Sequence, residues 1–315
     1  MQIRWIGMAI IATARSLGLI LAIALLLTSL SAGAEGDQPE FTYRANVNEV
    51  RLSFSAMDQN DHGVATLQAS DFAVVDKGFI VRDFQSFTRS NWTALEIAIL
   101  VDTSESVTPR FRQEISETLE LLSQTAGVPD ENISMFLFQN QHPAQLCAGG
   151  CRSSHAAERL APTRTGGLTP LFDSVIVAAN YISQHADAHA QKILILFSDG
   201  EDTISRHSAA DAIDTAIASD IQIDCIGLSG SGSLSRGDAI LRSLAAATGG
   251  QVSPVGDGAI AAAQAILENF RATYTVTYRL PTHAAGFHLV QILPTHNLKL
   301  QFHNRSGYFY PNRAQ

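Results

Sequence analysis

Four predominantly apolar runs stand out along the chain: Ala94 to Val101, Asn132 to Phe138, Lys192 to Phe197 and Ile221 to Leu228. Runs of Ile, Leu and Val without polar alternation read as strands buried on both faces, the kind found in parallel sheets. Between and after them, apolar positions recur at helical spacing. Phe111, Ile115, Leu119 and Leu122 follow Pro109, which suits a first helical turn. Leu171, Val175, Ala178, Ala179 and Ile182 line one side of a helix over Leu168 to Ser183. Three more helices are expected over Ser208 to Ser219, Gly237 to Thr248 (closed by Gly249-Gly250) and Asp257 to Ala272. Strands alternating with helices predict an α/β fold, a doubly wound and mostly parallel sheet with right-handed crossovers.

The flanks have a different rhythm. Val50, Leu52 and Phe54 alternate with polar neighbours in a half-buried strand over Asn48 to Met57, and Asp58 to Gly63 is a turn cluster. Ser70 to Gly78 and Phe79 to Phe87 read as two strands joined at Lys77-Gly78. After the last helix come four short strands: Thr273 to Leu280, His288 to Leu293, Leu298 to His303 and Gly307 to Tyr310. Isolated hairpins need a partner, so a smaller β module built from both flanks is expected beside the α/β domain. The expected division is 1–34 leader, 44–88 N-terminal β segment, 92–272 α/β domain and 273–311 C-terminal β segment.

The leader changes the cellular picture. Arg4 and Arg15 precede an apolar stretch from Leu17 to Leu30, and Ser31-Ala32-Gly33-Ala34 gives a small-x-small cleavage site before Glu35. That pattern predicts export to the periplasm or beyond. The other reading is an uncleaved anchor, for which the stretch is short, since a span needs about 20 residues. With 46% hydrophobic and 16% charged residues, 315 residues support a sizeable core. The net charge of −9 and the lack of a Lys/Arg cluster speak against nucleic acid as a partner. Cys147-Ala148-Gly149-Gly150-Cys151 reads as a disulfide in an exported chain, with a metal pair as its rival, and Cys225 as a buried free thiol.

The candidate chemistry lies where two apolar runs end. Ala94 to Val101 stops at Asp102-Thr103-Ser104-Glu105-Ser106, and Ile193 to Phe197 stops at Ser198-Asp199-Gly200-Glu201-Asp202. Carboxyl ends of strands are where open α/β sheets place ligand sites. Between the two runs, Thr165-Gly166-Gly167-Leu168-Thr169-Pro170-Leu171-Phe172-Asp173 is a Gly-rich loop opening a helix. Asp102, Ser104, Ser106, Thr169 and Asp199 are all hard oxygen donors, a set suited to Mg2+, Mn2+ or Ca2+ and poorly suited to zinc or copper. Ser and Asp after a strand also serve as ordinary helix caps.

On these three motifs, in this order, the chain resembles the von Willebrand factor type A domain family. The resemblance implies a metal-ion-dependent adhesion site. Ser104, Ser106 and Thr169 would supply hydroxyl ligands, and Asp102 and Asp199 would bind the ion directly or through water. One coordination position would be left for an Asp or Glu of a protein partner. The family loop usually reads Gly-Gly-Thr, whereas here Leu168 stands before Thr169. The flanks resemble the bacterial VWFA-related group, through Asp71-Phe72-Ala73-Val74, the Asp76-Lys77-Gly78 turn, Phe84 to Phe87 and the closing Arg305-Ser306-Gly307-Tyr308.

No enzyme motif competes with this reading. Gly227-Leu228-Ser229-Gly230-Ser231 fails the nucleophile elbow at its last position, and His-Glu-x-x-His is absent. The turn Ser229 to Ser235 lacks the third glycine of a dinucleotide loop. The expectation is therefore a secreted, metal-dependent adhesion-type module and not an enzyme. The alternative is a structural or assembly component of the envelope that uses its β module for oligomer contacts. Residues 139–165 form a long polar connection near the site, either a specificity loop or a variable surface insertion.

Overall fold

The computed structural model describes residues 49–311 apart from 61, 90–94, 107–127, 141–142, 149–150, 152–157, 161–162, 188–189, 228–234 and 255–258. The chain divides into two units, Met1–Asn46 and Val47–Gln315, and the fold below belongs to the second. The expected leader, the helix after Pro109 and most of the Ser229 to Ser235 turn lie outside the described residues.

Six strands build the central sheet: β5 (Leu95–Asp102), β6 (Ile133–Phe138), β7 (Ala144–Cys147), β8 (Gln191–Ser198), β9 (Ile221–Gly227) and β10 (Val252–Pro254). Their order is β10-β9-β8-β5-β6-β7, with every pair parallel except β6 with β7. The four apolar runs are its four central strands, as expected. The edges β7 and β10 are too short and too polar to have been read from periodicity. The helices of this domain whose full extent lies among the described residues are α1 (Leu171–His185), α2 (Ala209–Ala218), α3 (Arg236–Thr248) and α4 (Ala259–Arg271).

Alternate residues of each central strand enter two separate cores, since side chains point to opposite faces with period two. Ala98, Leu100, Leu194, Leu196, Ile223 and Cys225 pack against the buried sides of α1, α2 and α3. Ile97, Ile99, Val101, Ile193, Ile195 and Phe197 pack on the other face with Ile266 and Phe270 of α4. Helices on both faces explain why these strands are predominantly apolar. Helix ends follow local chemistry. Ser208 and Ser235 cap α2 and α3, each in a reciprocal box with an Asp three residues on. Gly249 closes α3 at φ 85°. One expected boundary was wrong: α1 starts at Leu171, behind an N-cap Pro170, and leaves Leu168 and Thr169 in the loop. The residue before a proline is disfavoured in the helical region, which keeps Thr169 out of the helix and lets α1 begin after Pro170.

The flanks form two four-stranded antiparallel sheets. One is β13-β1-β11-β4, from Gln301–Asn304, Glu49–Met57, Thr273–Arg279 and Phe84–Arg89. The other is β14-β12-β2-β3, from Gly307–Tyr310, Gly286–Pro294, Phe72–Asp76 and Phe79–Val81. Both mix N- and C-terminal strands, and they enclose a core of Phe54, Phe72, Tyr274, Val276, Tyr278 and Ile292. The expected single strand Phe79 to Phe87 breaks in two. β3 forms a hairpin with β2 across Lys77 (φ 47°) and Gly78 (φ 85°), whereas β4 crosses to the other sheet and pairs with β11. The strand expected from Leu298 also shrinks to β13, and Leu298 lies exposed before it. Asp58 closes the first turn by accepting from the amides of Asn60 and His62, so the cluster is an Asx-type turn.

Candidate functional site

The central pairing of β5 with β8 sets two strand ends side by side. Asp102 is the last residue of β5 and Ser198 the last of β8, and the Ser198 hydroxyl donates to Asp102 Oδ2 at 2.8 Å. Asp102 Oδ1 accepts the Ser104 amide at 2.9 Å. Thr103 turns the other way, its amide and hydroxyl both donating to the Phe138 carbonyl of β6. This alternation sets Asp102, Ser104 and Ser106 on one side of the loop. The hydroxyls of Ser104 and Ser106 lie 3.2 Å apart. Asp102 and Ser104 are buried and Ser106 is open to solvent, so the group is a floor with one accessible rim.

The Gly-rich loop is tied to both neighbours. The Gly166 amide donates to the Thr103 carbonyl, joining it to the first loop. Gly167 sits at φ 84°, a left-handed conformation that favours glycine, and a Cβ there would lie 2.1 Å from the Asn140 side chain. The Asn140 amide donates to the Leu168 carbonyl and its Oδ1 accepts the Leu168 amide. Thr169 is buried; its amide donates to the Thr203 hydroxyl at 2.8 Å, and the Thr203 amide donates to the Thr169 carbonyl. The additional residue is thereby accommodated: Leu168 is half exposed at the turn and Thr169 is the residue anchored to the third loop.

The third loop is braced from below. Gly200, at φ 80°, and Gly237 of α3 meet backbone to backbone, and a Cβ on either would lie 2.1–2.2 Å from the other segment's carbonyl oxygen. Asp199 Oδ1 accepts the Glu201 amide. Asp173, in the first turn of α1, accepts the amides of Arg206 and His207 and the His207 ring at 2.8–3.1 Å. Asp202 accepts the Ser205 hydroxyl at 2.5 Å. Thus Asp173 and Asp202 hold loops together and leave Asp199 free of such a task.

The electrostatics follow from the burial. Desolvation pushes the Asp102 carboxyl up to about 6, against the hydrogen bonds from Ser104 and Ser198 and with help from the nearby charge of Asp199. A buried carboxylate whose ionisation is opposed by a second carboxylate nearby is an environment that a cation relieves. Among the described residues no Lys, Arg or His forms an ion pair with either. Nor does any group of three His, Cys, Asp or Glu gather there. The donor set of two carboxylates with serine and threonine hydroxyls fits a hard divalent cation and no soft one.

Of the five predicted residues, Asp102, Ser104 and Ser106 are joined by hydrogen bonds, Asp199 follows Ser198, which donates to Asp102, and Thr169 is tied to the Asp199 loop through Thr203. Ser198 and Thr203 escaped the sequence reading. Ser198 was visible only as the residue before Asp199, and its bond to Asp102 depends on β5 and β8 being neighbours.

Residues 96–259 match the profile of the von Willebrand factor type A domain, just over half of the chain. The chain belongs to the von Willebrand factor type A domain family. Solved structures of similar fold include an aerotolerance-related membrane protein from Bacteroides fragilis, 17% identical with a TM-score of 0.45. That likeness covers 56% of this chain and 98% of the other. BatB from Bacteroides thetaiotaomicron is 16% identical at TM-score 0.41, covering 56% and 96%. A von Willebrand factor type A protein from Catenulispora acidiphila is 14% identical at TM-score 0.45, covering 86% and 76%. No curated protein matches the chain. Within the type A domain the connection after β6 carries β7 and a Cys147–Cys151 disulfide, while Cys225 is free and buried, as expected for both. No described helix is long and apolar enough to cross a membrane.

Proposed function

We propose that this chain is an exported protein-binding module whose type A domain captures a carboxylate of its partner through a divalent cation, Mg2+ with Mn2+ or Ca2+ as substitutes. The observation that carries the reading is the stitching of three sequence-distant loops around Asp102, Ser104, Ser106 and Asp199. Ser104, Ser106 and Thr169 would give the ion neutral oxygens, and Asp102 and Asp199 would balance part of its charge. The ion would supply a strong electrostatic anchor for a partner's Asp or Glu. Ser198 keeps Asp102 oriented, and Gly200 against Gly237 fixes where Asp199 leaves the sheet. This is recognition without turnover, since no nucleophile and base are paired at the site.

Calorimetry with Mg2+ tests the proposal. Wild type is expected to bind, and Asp102→Ala and Asp199→Ala to weaken binding at least tenfold. Unchanged affinity in both variants would end the metal assignment. A pull-down from envelope extract, run with Mg2+ and with chelator, then identifies the acidic partner. Export is checked separately, by fractionating cells and sequencing the mature N-terminus, expected at Glu35.

A further inference from the structure

The outer face of the β14-β12-β2-β3 sheet breaks the usual division of an antiparallel sheet into one apolar and one polar side. Its inner face carries His288, Val290 and Ile292 of β12, all buried. The outer row of the same strand is Phe287, Leu289, Gln291 and Leu293, and all four are exposed. Register extends the row sideways: Phe287 lies opposite Phe309, Gln291 opposite Val75, and Val75 opposite Ile80. Ile80 is 65% exposed, Leu289 53%, Leu293 48%, Phe309 44% and Phe287 38%. The rings of Phe287 and Phe309 stand edge to face at 5.1 Å, and Phe287 rests over Gly307. No charged residue occupies a registered outer position.

We propose that two copies of the chain pack sheet against sheet on this face. Three observations choose a second copy as the occupant. First, the chain carries a net charge of −9, yet the registered outer positions carry none and the exposed charges beside them, Lys77 and Arg82, are basic and lie at the rim, so a copy meets no like charge across the apolar centre. Second, the open apolar side chains offer ~500 Å2 per copy, which with a polar rim approaches the ~800 Å2 per partner of a standard interface. Third, the outer row of β12 is centred on Val290. A two-fold axis lying in the interface and crossing the strand there sets Phe287 of each copy over Leu293 of the other, an isologous contact. The sheet is rigid behind this face because Asp76, Val290 and Ile292 are locked into the core.

Sedimentation equilibrium of the full chain over roughly 1 to 100 µM tests the idea. The expected mass is twice that of the single chain, unchanged by chelator, so the result stands apart from the metal reading. Leu289→Glu with Leu293→Glu is expected to weaken association at least tenfold while leaving the melting temperature of the monomer unmoved. A second measurement uses Gln291→Cys and a short bis-maleimide. Cys147 and Cys151 are paired and Cys225 is buried, so the new thiol is the accessible one, and a covalent dimer is expected. A wild type of single-chain mass throughout, or a double variant that dimerises as well as wild type, overturns the proposal. So does a monomer that pellets with phosphatidylcholine vesicles, which would assign the face to lipid.

Discussion

The central sheet and the β module use polarity in opposite ways. In the central sheet, β5 and β8 are apolar on both faces, and polar groups appear only where the strands end. In the β module, the polar groups sit inside. Asp76 accepts hydrogen bonds from Tyr278 (2.9 Å) and Tyr308 (2.7 Å), and His288 lies 3.3 Å from it, all beneath the sheet whose outer surface is apolar. Burial first, and then the charge of Asp76 and the hydrogen bond to it, holds both tyrosines well above the usual phenol range, so they remain donors. Helices covering both faces fix a parallel sheet by shape alone. Two small antiparallel sheets lack that cover, and directional hydrogen bonds in a dry core supply the register instead. The central sheet is then free to place its chemistry where the chain leaves the core.

The largest test strikes the module's inner network. Asp76→Ala leaves His288, Tyr278 and Tyr308 without their shared acceptor and is expected to cost ~3–5 kcal/mol. Urea unfolding measures it, and a loss under 1 kcal/mol would show that the network keys nothing. The contrast is sharpened by Asp224, an ionisable side chain buried within β9 of the central sheet. Burial pushes it up to about 6, against hydrogen bonds from the Gln251 amide and the Gln222 side chain. Its folded-state value lies above its unfolded one, so the folded state holds the proton more tightly. The group therefore lowers stability as pH rises from about 4 to about 6, by up to ~3 kcal/mol. Asp224→Asn is expected to remove that part of the slope when urea midpoints are compared from pH 4 to 7.

Smaller effects probe the loops and the outer face. Thr203→Val removes the hydroxyl that receives the Thr169 amide and is expected to cost about 1 kcal/mol in the same urea assay. In Mg2+ calorimetry it is expected to weaken binding less than Asp102→Ala does. Leu289→Lys, on the open face, is expected to change monomer stability by no more than ~0.5 kcal/mol, read as a melting temperature at a concentration that keeps the chain monomeric. A large loss there would mean that the face belongs to the fold and not to an interface.

Much of this was legible in the residues. The central strands were readable because a strand buried on both sides is mostly apolar, with Asp224 of β9 an exception that two hydrogen bonds satisfy. Asp102 and Asp199 stood out as polar stops after such runs, and Ser104 and Ser106 followed from the alternate spacing. Thr169 was the harder choice, since Leu168 displaces the motif, and the Thr203 pairing is what anchors Thr169 to the third loop. The break between β3 and β4 was hidden because Arg82-Asp83 looks like an ordinary interruption, and its meaning depends on which sheet each half joins.

What the sequence determined by itself is the order of elements, the apolar runs and the residues that close them, because period and composition act locally along the chain. Tertiary structure alone decided that β5 and β8 are neighbours, so that Ser198 meets Asp102, and that Asp76 meets residues more than 200 positions away. It also decided that one apolar row faces the core and the other faces outward. Burial and pairing depend on which surfaces come together in space, and a one-dimensional pattern holds no record of that choice.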